Sequence, residues 1–299
     1  MKGSLGDYDA AIRYASEASE SEPTNTRAKM ILSMANSAIA DLLCDKGEAM
    51  LLEVEPAKAT ATEHVEQTRN NREDIAREVF QAAIEQDPAS ARAHYLLGNV
   101  HEIKGDFSEA IEEQQLAVHY GERNVFGGYA EAHFALGVAL EAQKRSYEAV
   151  EHYEQATRLL PLRGGLRIDV QLCLADALTT LAPTCNGSSV LDSNITIGAK
   201  NEDLGSKLTF TAALDRAEVI YTTVVETASI ALEQAHAAFG LGSVHRQRGV
   251  NLQAAVKAFQ KATDLDSSNA QYWCNLGYAA ESLARRVASG RISRASIDE

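Results

Sequence analysis

The chain has 299 residues, and 28 Lys and Arg residues against 42 Asp and Glu residues give a formal net charge of −14. This acidic balance argues against a nucleic-acid or anionic-membrane binder, because both depend on Lys and Arg to neutralise phosphate. An apolar fraction of 45% excludes wholesale disorder, and no apolar run approaches the ~20 residues that span a bilayer.

Small residues recur at fixed intervals along the chain. In two sets, two alanines lie 7 residues apart and a proline follows 5 residues after the second. In three sets, an alanine follows a glycine after 12 residues, or after 13 in the last set, and a second alanine follows 7 residues later. The sets are Ala11, Ala18 and Pro23; Ala76, Ala83 and Pro88; Gly98, Ala110 and Ala117; Gly137, Ala149 and Ala156; Gly242, Ala255 and Ala262. Each period holds two segments with apolar residues at i, i+3, i+4 and i+7, which predicts a pair of amphipathic helices. Such pairs cannot bury both faces alone, so we expect them to stack as a solenoid.

The repeat frame predicts seven units in chain order. They are residues 1–25, which resemble a second helix alone; 26–90; 91–124; 130–164; 166–232; 235–269; and 270–288, which resemble a first helix. We therefore predict a single solenoid over residues 1–288, followed by a C-terminal tail over 289–299. Because both terminal units are incomplete in this frame, we expect the chain to be an excerpt of a longer array.

Two units are longer than the frame requires. Ser33 lies 43 residues before Ala76, and Ala175 lies 42 residues before Ala217, where the frame has 12. These distances predict insertions at about 45–73 and 184–209, each between the two helices of its unit. The first begins with helical apolar spacing, which is compatible with a longer first helix. The second is rich in Gly, Ser and Asn, which predicts a loop.

The residues at these positions resemble the tetratricopeptide repeat (TPR) family, whose 34-residue pattern combines an aromatic residue, Leu-Gly, Ala, a second aromatic residue, Ala and Pro. The matches are Trp273, Leu276 and Gly277; Leu97, Gly98, Gly105, Asp106 and Phe107; Leu136, Gly137, Ala149, Tyr153, Ala156 and Pro161; Leu241, Gly242, Gly249, Phe259 and Ala262. The resemblance implies an all-α fold, a right-handed superhelical solenoid of antiparallel helix pairs. It is specific for fold and unspecific for function.

The sequence contains no phosphate-binding glycine loop, HExxH, GxSxG or paired CxxC motif. We therefore expect no catalytic residues and no cofactor. His94 and His101 lie seven residues apart, and His133 occupies the position equivalent to His94. A metal site needs three or four converging ligands, and these histidines fall where the family has packing aromatics, so we favour packing over a metal site.

The four cysteines lack the spacing of a metal or redox motif and are too few to cross-link a chain of this length. They are Cys44, Cys173, Cys185 and Cys274. We interpret them as reduced thiols, which favours a cytoplasmic location.

In the TPR family the first helices line a concave groove that holds the partner. Transferred by the repeat frame, the lining residues of this chain are Arg92, Tyr95, Asn99, Glu102, Glu131, Phe134, Glu141, Asp169, Asp176, Phe239, Arg246 and Tyr278. The aromatic members are candidate anchors, and the acidic members favour a basic or apolar peptide segment. The alternative is that these charges only solvate a helix face.

Some co-chaperones of this family bind the acidic C-terminal tail of a chaperone through a clamp of Lys, Asn, Asn, Lys and Arg. In this chain Asn99 matches one Asn, but Tyr95, Ala135, Asp169 and Cys173 occupy the other four positions. The clamp is therefore absent, and we do not expect a chaperone tail as the ligand.

These observations predict a non-catalytic protein–protein interaction scaffold or adaptor that binds a partner peptide or helix in the groove. Two alternatives stay open at this point. One is a structural subunit of a large multiprotein assembly. The other is a substrate-recruiting repeat region of a larger enzyme, such as a glycosyltransferase.

Overall fold

The computed structural model describes residues 5–52, 62–121, 129–159, 165–182, 210–249 and 251–289. Every regular element in these ranges is an α-helix, which confirms the predicted all-α fold of helix pairs. The chain forms two compact units, Met1–Gln143 and Lys144–Glu299, called unit 1 and unit 2 below. The predicted continuity of one solenoid through both units stays a prediction.

The described part of unit 1 holds six helices, and each packs against the next along the chain. They are α1 (Leu5–Ser21), α2 (Thr26–Leu52), α3 (Thr62–Gln86), α4 (Ala91–Lys104), α5 (Phe107–Gly121) and α6 (Ala130–Ala142). The first helices also contact one another, α2 with α4 and α4 with α6. These three helices therefore lie side by side.

In unit 2 the described residues form a second series of six helices. They are α7 (Ser146–Leu159), α8 (Gly165–Leu181), α9 (Phe210–Thr227), α10 (Ala231–Arg248), α11 (Leu252–Leu265) and α12 (Ala270–Ala288). Consecutive helices pack together, and α8 also contacts α10. None of the described helices of either unit is both long and apolar enough to cross a membrane.

Local capping explains where several helices begin and end. Ser90 caps α4 by accepting the N–H of Ala93 at 3.3 Å, and Asn251 caps α11 by accepting the N–H of Ala254 at 3.0 Å. Gly105 ends α4 at φ 82° and Gly249 ends α10 at φ 66°, a left-handed conformation that glycine adopts without steric cost. The turn signals in the sequence thus separate the two helices of a pair.

The core is built on one position of the second helices α3, α5, α7, α9 and α11, four residues after a fully buried alanine. The side chains at this position, called the crossing side chains, are Phe80, Gln114, Tyr153, Tyr221 and Phe259. Three of them lie against a glycine of the first helix of their pair, where an added Cβ would be 2.3 Å (Gly47 and Phe80), 2.6 Å (Gly98 and Gln114) or 2.6 Å (Gly242 and Phe259) away. The predicted close approach of helices at Gly98 is therefore confirmed.

The register of the predicted repeat at residues 26–90, which lies in unit 1, differs from the sequence prediction. Gly47, and not Ser33, faces the crossing side chain Phe80, and Ser33 is exposed. The distance from this glycine to Ala76 is 29 residues rather than 43. Residues 45–52, predicted to begin an insertion, continue α2, while residues 62–73 belong to α3. The long α2 explains the error, because small residues occur on several of its turns, Ser33 and Gly47 among them.

Two sequence predictions fall on parts of the chain that lie outside the described residues. These are the loop insertion at about 184–209, and all of the tail except Ser289. Cys185 lies in the first of these segments, and Cys44 and Cys274 are free thiols.

Candidate functional site

The predicted groove residues of unit 1 lie on α4 and α6, the second and third of its side-by-side first helices. All seven are half-buried: Arg92, Tyr95, Asn99, Glu102, Glu131, Phe134 and Glu141. Together with the C-terminal half of α2 they form what we call the first-helix face. A half-buried side chain combines contact with the fold and access to a partner, so this face is the candidate site of unit 1.

An aromatic pair lies at the centre of the first-helix face. The rings of Tyr95 and Tyr129 are 5.2 Å apart between centroids, at an interplanar angle of 66°. Burial, followed by the negative charge of Glu131, Glu102 and Glu48, raises the pKa of Tyr95. Burial and the neighbouring Tyr95 and Glu131 likewise raise the pKa of Tyr129. Both hydroxyls therefore stay neutral at physiological pH and present uncharged rings.

A buried side chain of α5 donates hydrogen bonds to Tyr95 and Asn99 of α4. The buried crossing side chain Gln114 donates from Nε2 to the Asn99 Oδ1 at 2.9 Å and to the backbone carbonyl of Tyr95 at 3.1 Å. The Asn99 amide lies near the Tyr95 hydroxyl and opposes the effect of burial on the pKa of Tyr95. The second helix α5 thus fixes two residues of the face on α4.

Arg92 bridges two first helices. Its Nη2 lies 2.9 Å from Asp45 Oδ1 and 2.5 Å from Glu48 Oε2, both on α2. Burial disfavours the charged guanidinium, but these two hydrogen bonds outweigh it and raise the pKa of Arg92. The sequence prediction missed both carboxylates, because a frame that starts at Ser33 places them in an insertion. The signal that locates them is Gly47, between the two.

Among the described residues, Glu102 and Glu131 of the face lack such a cation. Burial raises the pKa of Glu102. Neither Glu102 nor Glu131 forms an ion pair within the part of the chain that the structure describes. Glu131 lies two residues after Tyr129, in the first turn of α6. Within the described ranges, Glu102 and Glu131 therefore place negative charge beside the tyrosine pair without an ion pair of their own.

In unit 2 the predicted groove residues divide into two groups. Asp169, Arg246 and Tyr278 are exposed, and Tyr278 is 65% exposed. Phe239 is half-buried, with its ring centroid 5.0 Å from that of Tyr272 and 5.5 Å from that of Phe259. Phe239 therefore packs on two aromatic rings of unit 2, and its role as a partner anchor stays a prediction.

Asp176 accepts hydrogen bonds from two other helices. The Tyr221 hydroxyl of α9 donates to its Oδ1 at 2.5 Å, and Nε2 of His236 of α10 lies 2.9 Å from its Oδ2. The hydrogen bond to Asp176, opposed by burial, raises the pKa of His236. Burial and Asp176 raise the pKa of Tyr221. Gly240 of α10 lets the Tyr221 ring approach, since an added Cβ would be 2.3 Å from its Cζ.

His94, one of the three histidines singled out from the sequence, has hydrogen-bond partners in the fold. His94 Nδ1 lies 2.7 Å from Glu113 Oε2, and its Nε2 lies 3.2 Å from the carbonyl of Pro88. Its ring stacks on Tyr120 at 5.5 Å. Both ring nitrogens of His94 are thus engaged in helix packing. Across the described ranges, no group of three His, Cys, Asp or Glu side chains is placed to hold a metal ion.

Comparisons with known proteins agree with the helix pairs described above. Residues 67–124 and residues 130–162 each match a family model described as tetratricopeptide repeat. The comparison with curated protein sequences finds no match.

Solved structures with this arrangement of helices are similar to the chain. One is YrrB, a TPR protein with an unusual peptide-binding site, at 16% identity and a TM-score of 0.52, covering 91% of this chain and 100% of YrrB. Another is the MamA protein, at 16% identity and a TM-score of 0.50, covering 79% of this chain and 95% of MamA. At this identity the similarity concerns the fold.

Proposed function

Since this chain is a tetratricopeptide repeat protein, we propose that it is a non-catalytic scaffold whose first-helix face in unit 1 binds a basic segment of a protein partner. Repeats of this family indicate protein–protein interaction. The observation that carries the finer proposal is the tyrosine pair beside two carboxylates, Glu102 and Glu131, that form no ion pair with any described residue.

The tyrosine pair supplies the apolar part of the interaction. Tyrosine is a frequent hot-spot residue, because its ring buries a large area at low conformational cost. The backbone carbonyl of Tyr95 already accepts a hydrogen bond from the buried Gln114, so the segment of α4 that carries the ring needs little ordering on binding. Phe134 on α6 is also half-buried, and we include it in the contact surface.

The charges of the face set the kind of partner. Glu102, Glu131 and Glu141 attract Lys and Arg, and they repel the acidic tails that a carboxylate clamp would bind. The net charge of −14 points in the same direction, and it favours a protein over a nucleic acid as the partner.

On unit 2 we propose a smaller contribution to partner contacts. The exposed side chains of Asp169, Arg246 and Tyr278 are available for it. Asp176 and Phe239 serve mainly to hold helices together, since their partners lie on neighbouring helices. The free thiols, among them the buried Cys44, favour action in a reducing compartment such as the cytoplasm.

Selection of a random peptide-display library on the purified chain tests this proposal. We expect the selected peptides to be enriched in Lys and Arg. Charge reversal by E102K/E131K should abolish their binding while the circular-dichroism spectrum stays helical. The matched control E109K/E112K changes two exposed carboxylates of α5 and should bind as the unaltered chain does.

Two outcomes contradict the proposed function. One is a selected set without basic enrichment. The other is binding that survives E102K/E131K but is lost in the control, which would place the interaction on the second helices.

A further inference from the structure

We propose that the cleft between α4 and α6 binds the guanidinium of an arginine side chain, which lies against the rings of Tyr95 and Tyr129 and pairs with Glu102 and Glu131. This inference rests on the function proposed above and narrows it to one side chain at one place. It also separates arginine from lysine, which the overall charge does not.

The neighbouring cleft provides an internal comparison. Between α2 and α4, the guanidinium of Arg92 already contacts Asp45 and Glu48 at 2.9 and 2.5 Å. The shift of 39 residues that superimposes Gly98 on Gly137 also places Glu131 of α6 at the position of Arg92. The chain thus supplies its own arginine to one cleft and a carboxylate to the equivalent position of the next.

The carboxylates of the second cleft have both charge and partial burial. Glu102 and Glu131 are half-buried, and neither pairs with a cation in the ranges that the structure describes. Partial burial lowers the effective dielectric constant around them, so a cation gains more there than on an open surface. A guanidinium from outside the chain would neutralise Glu102 and Glu131 in the way that Arg92 neutralises Asp45 and Glu48.

The tyrosine pair makes the cleft suited to arginine. A guanidinium is planar, stacks on aromatic rings, and forms two parallel hydrogen bonds to a carboxylate, whereas an ammonium group is a hydrated point charge. The two rings meet at 66°, so they present surfaces in two directions. Gln114 donates to Asn99 and to the backbone carbonyl of Tyr95, which fixes the segment of α4 that carries one ring.

The test uses NMR spectra of the full chain with labelled tyrosine rings. The probe is N-acetyl-arginine methylamide. Its neutral isostere, N-acetyl-citrulline methylamide, and the lysine analogue are the comparison ligands. We expect saturable shifts of the Tyr95 and Tyr129 signals with the arginine probe, weaker ones with lysine, and none with citrulline.

Two matched double variants distinguish binding at this site from a nonspecific effect of the net negative charge. E102Q/E131Q should weaken binding of the arginine probe about fivefold or more, the order expected when two partly exposed ion pairs are lost. E109Q/E112Q removes the same charge from α5 and should leave the titration unchanged. Thermal unfolding checks that each variant is folded, and the single variants E102Q and E131Q replace the double variant if it is not.

Equal shifts with arginine and citrulline, or an unchanged titration in E102Q/E131Q, overturn the inference. The library selection distinguishes this failure from failure of the proposed function. Selected peptides that bind the first-helix face with lysine in place of arginine overturn only the arginine site. If the arginine probe gives saturable shifts of the Tyr95 and Tyr129 signals but the library yields no binding peptide, only the proposed function is overturned.

Discussion

Gly47 of α2 lies directly beneath the ring of Phe80 of α3, where a Cβ atom would come within 2.3 Å of Cε1. Phe80 is fully buried in the core cluster that joins α2, α3 and α4. Its ring is therefore surrounded by other core side chains and cannot easily move away from an added Cβ atom at Gly47. This single contact sets the register of the first helix pair of unit 1.

Replacing Gly47 should therefore destabilise unit 1. We expect Gly47→Ala to cost about 1–3 kcal/mol of unfolding free energy, the usual range for overpacking a core. Gly277→Ala is the control, because no described atom lies within 4 Å of its added Cβ and alanine favours a helix. Denaturant unfolding measures both. Equal effects of the two substitutions would contradict the assigned register.

Removal of the Tyr221 hydroxyl should weaken the packing of α9 against α8. The hydroxyl donates to Asp176 at 2.5 Å, and Tyr221 is almost fully buried. We expect Tyr221→Phe to cost about 1 kcal/mol, a typical net value for one hydrogen bond. Tyr278→Phe, at a side chain that is 65% exposed, should leave the unfolding midpoint unchanged. A neutral Tyr221→Phe would show that the hydroxyl contributes nothing to stability.

His236 should make the stability of unit 2 depend on pH. Its hydrogen bond to Asp176 raises its pKa above the ordinary value of 6.5, against the effect of burial. Folding thus favours the protonated form. The stabilisation is complete below the ordinary pKa and is lost as the pH rises through the raised pKa.

Denaturant unfolding between about pH 5.5 and 8.5, where histidine titrates, measures this dependence. The unfolding free energy of the unaltered chain should fall with rising pH relative to that of His236→Gln. His245, whose pKa is lowered mainly by burial, contributes the opposite slope to both proteins and cancels in the comparison. Parallel curves for the two proteins would refute the stabilising role of the His236 contact.

Arg92 should oppose the binding of basic peptides to the first-helix face. Arg92→Gln frees Asp45 and Glu48, so the strongest library peptide should bind about two- to fivefold more tightly, within the range of partly exposed ion pairs. The gain should shrink at high salt, because exposed charges are screened. Arg145→Gln, which frees only Glu148 within α7, is the control. Weaker binding by Arg92→Gln would place Arg92 among the partner contacts.

Much of the fold follows from the spacing of small residues, because each small residue marks a crossing of two helices. Gly98 and Gly242 occupy the predicted crossings, each beneath the crossing side chain of its own pair. The frame failed in α2, where Ser33 and Gly47 are both small, since only the position of Phe80 decides between them. Sequence spacing locates a crossing when one candidate is present and fails when there are two.

The candidate site was predictable in position but not in its contacts. The frame placed Tyr95 on the face, and the structure finds it half-buried there. It missed Tyr129, which precedes α6 and lies outside the repeat pattern. It did not predict that the ring of Phe239 packs on those of Tyr272 and Phe259. Such contacts depend on how far side chains reach across helices, which residue spacing does not encode.

The crossing side chains have a consequence for specificity. Gln114 hydrogen-bonds Asn99, and Tyr221 hydrogen-bonds Asp176, from the same position of two different second helices. In each case an interior residue occupies one acceptor of a surface residue and so decides which groups are left for a partner. The hydrogen-bonding groups that a first helix offers to a partner therefore depend partly on the residues of the second helix packed against it. Transplanting surface residues alone into another repeat would carry over the shape of the site without its hydrogen-bonding character.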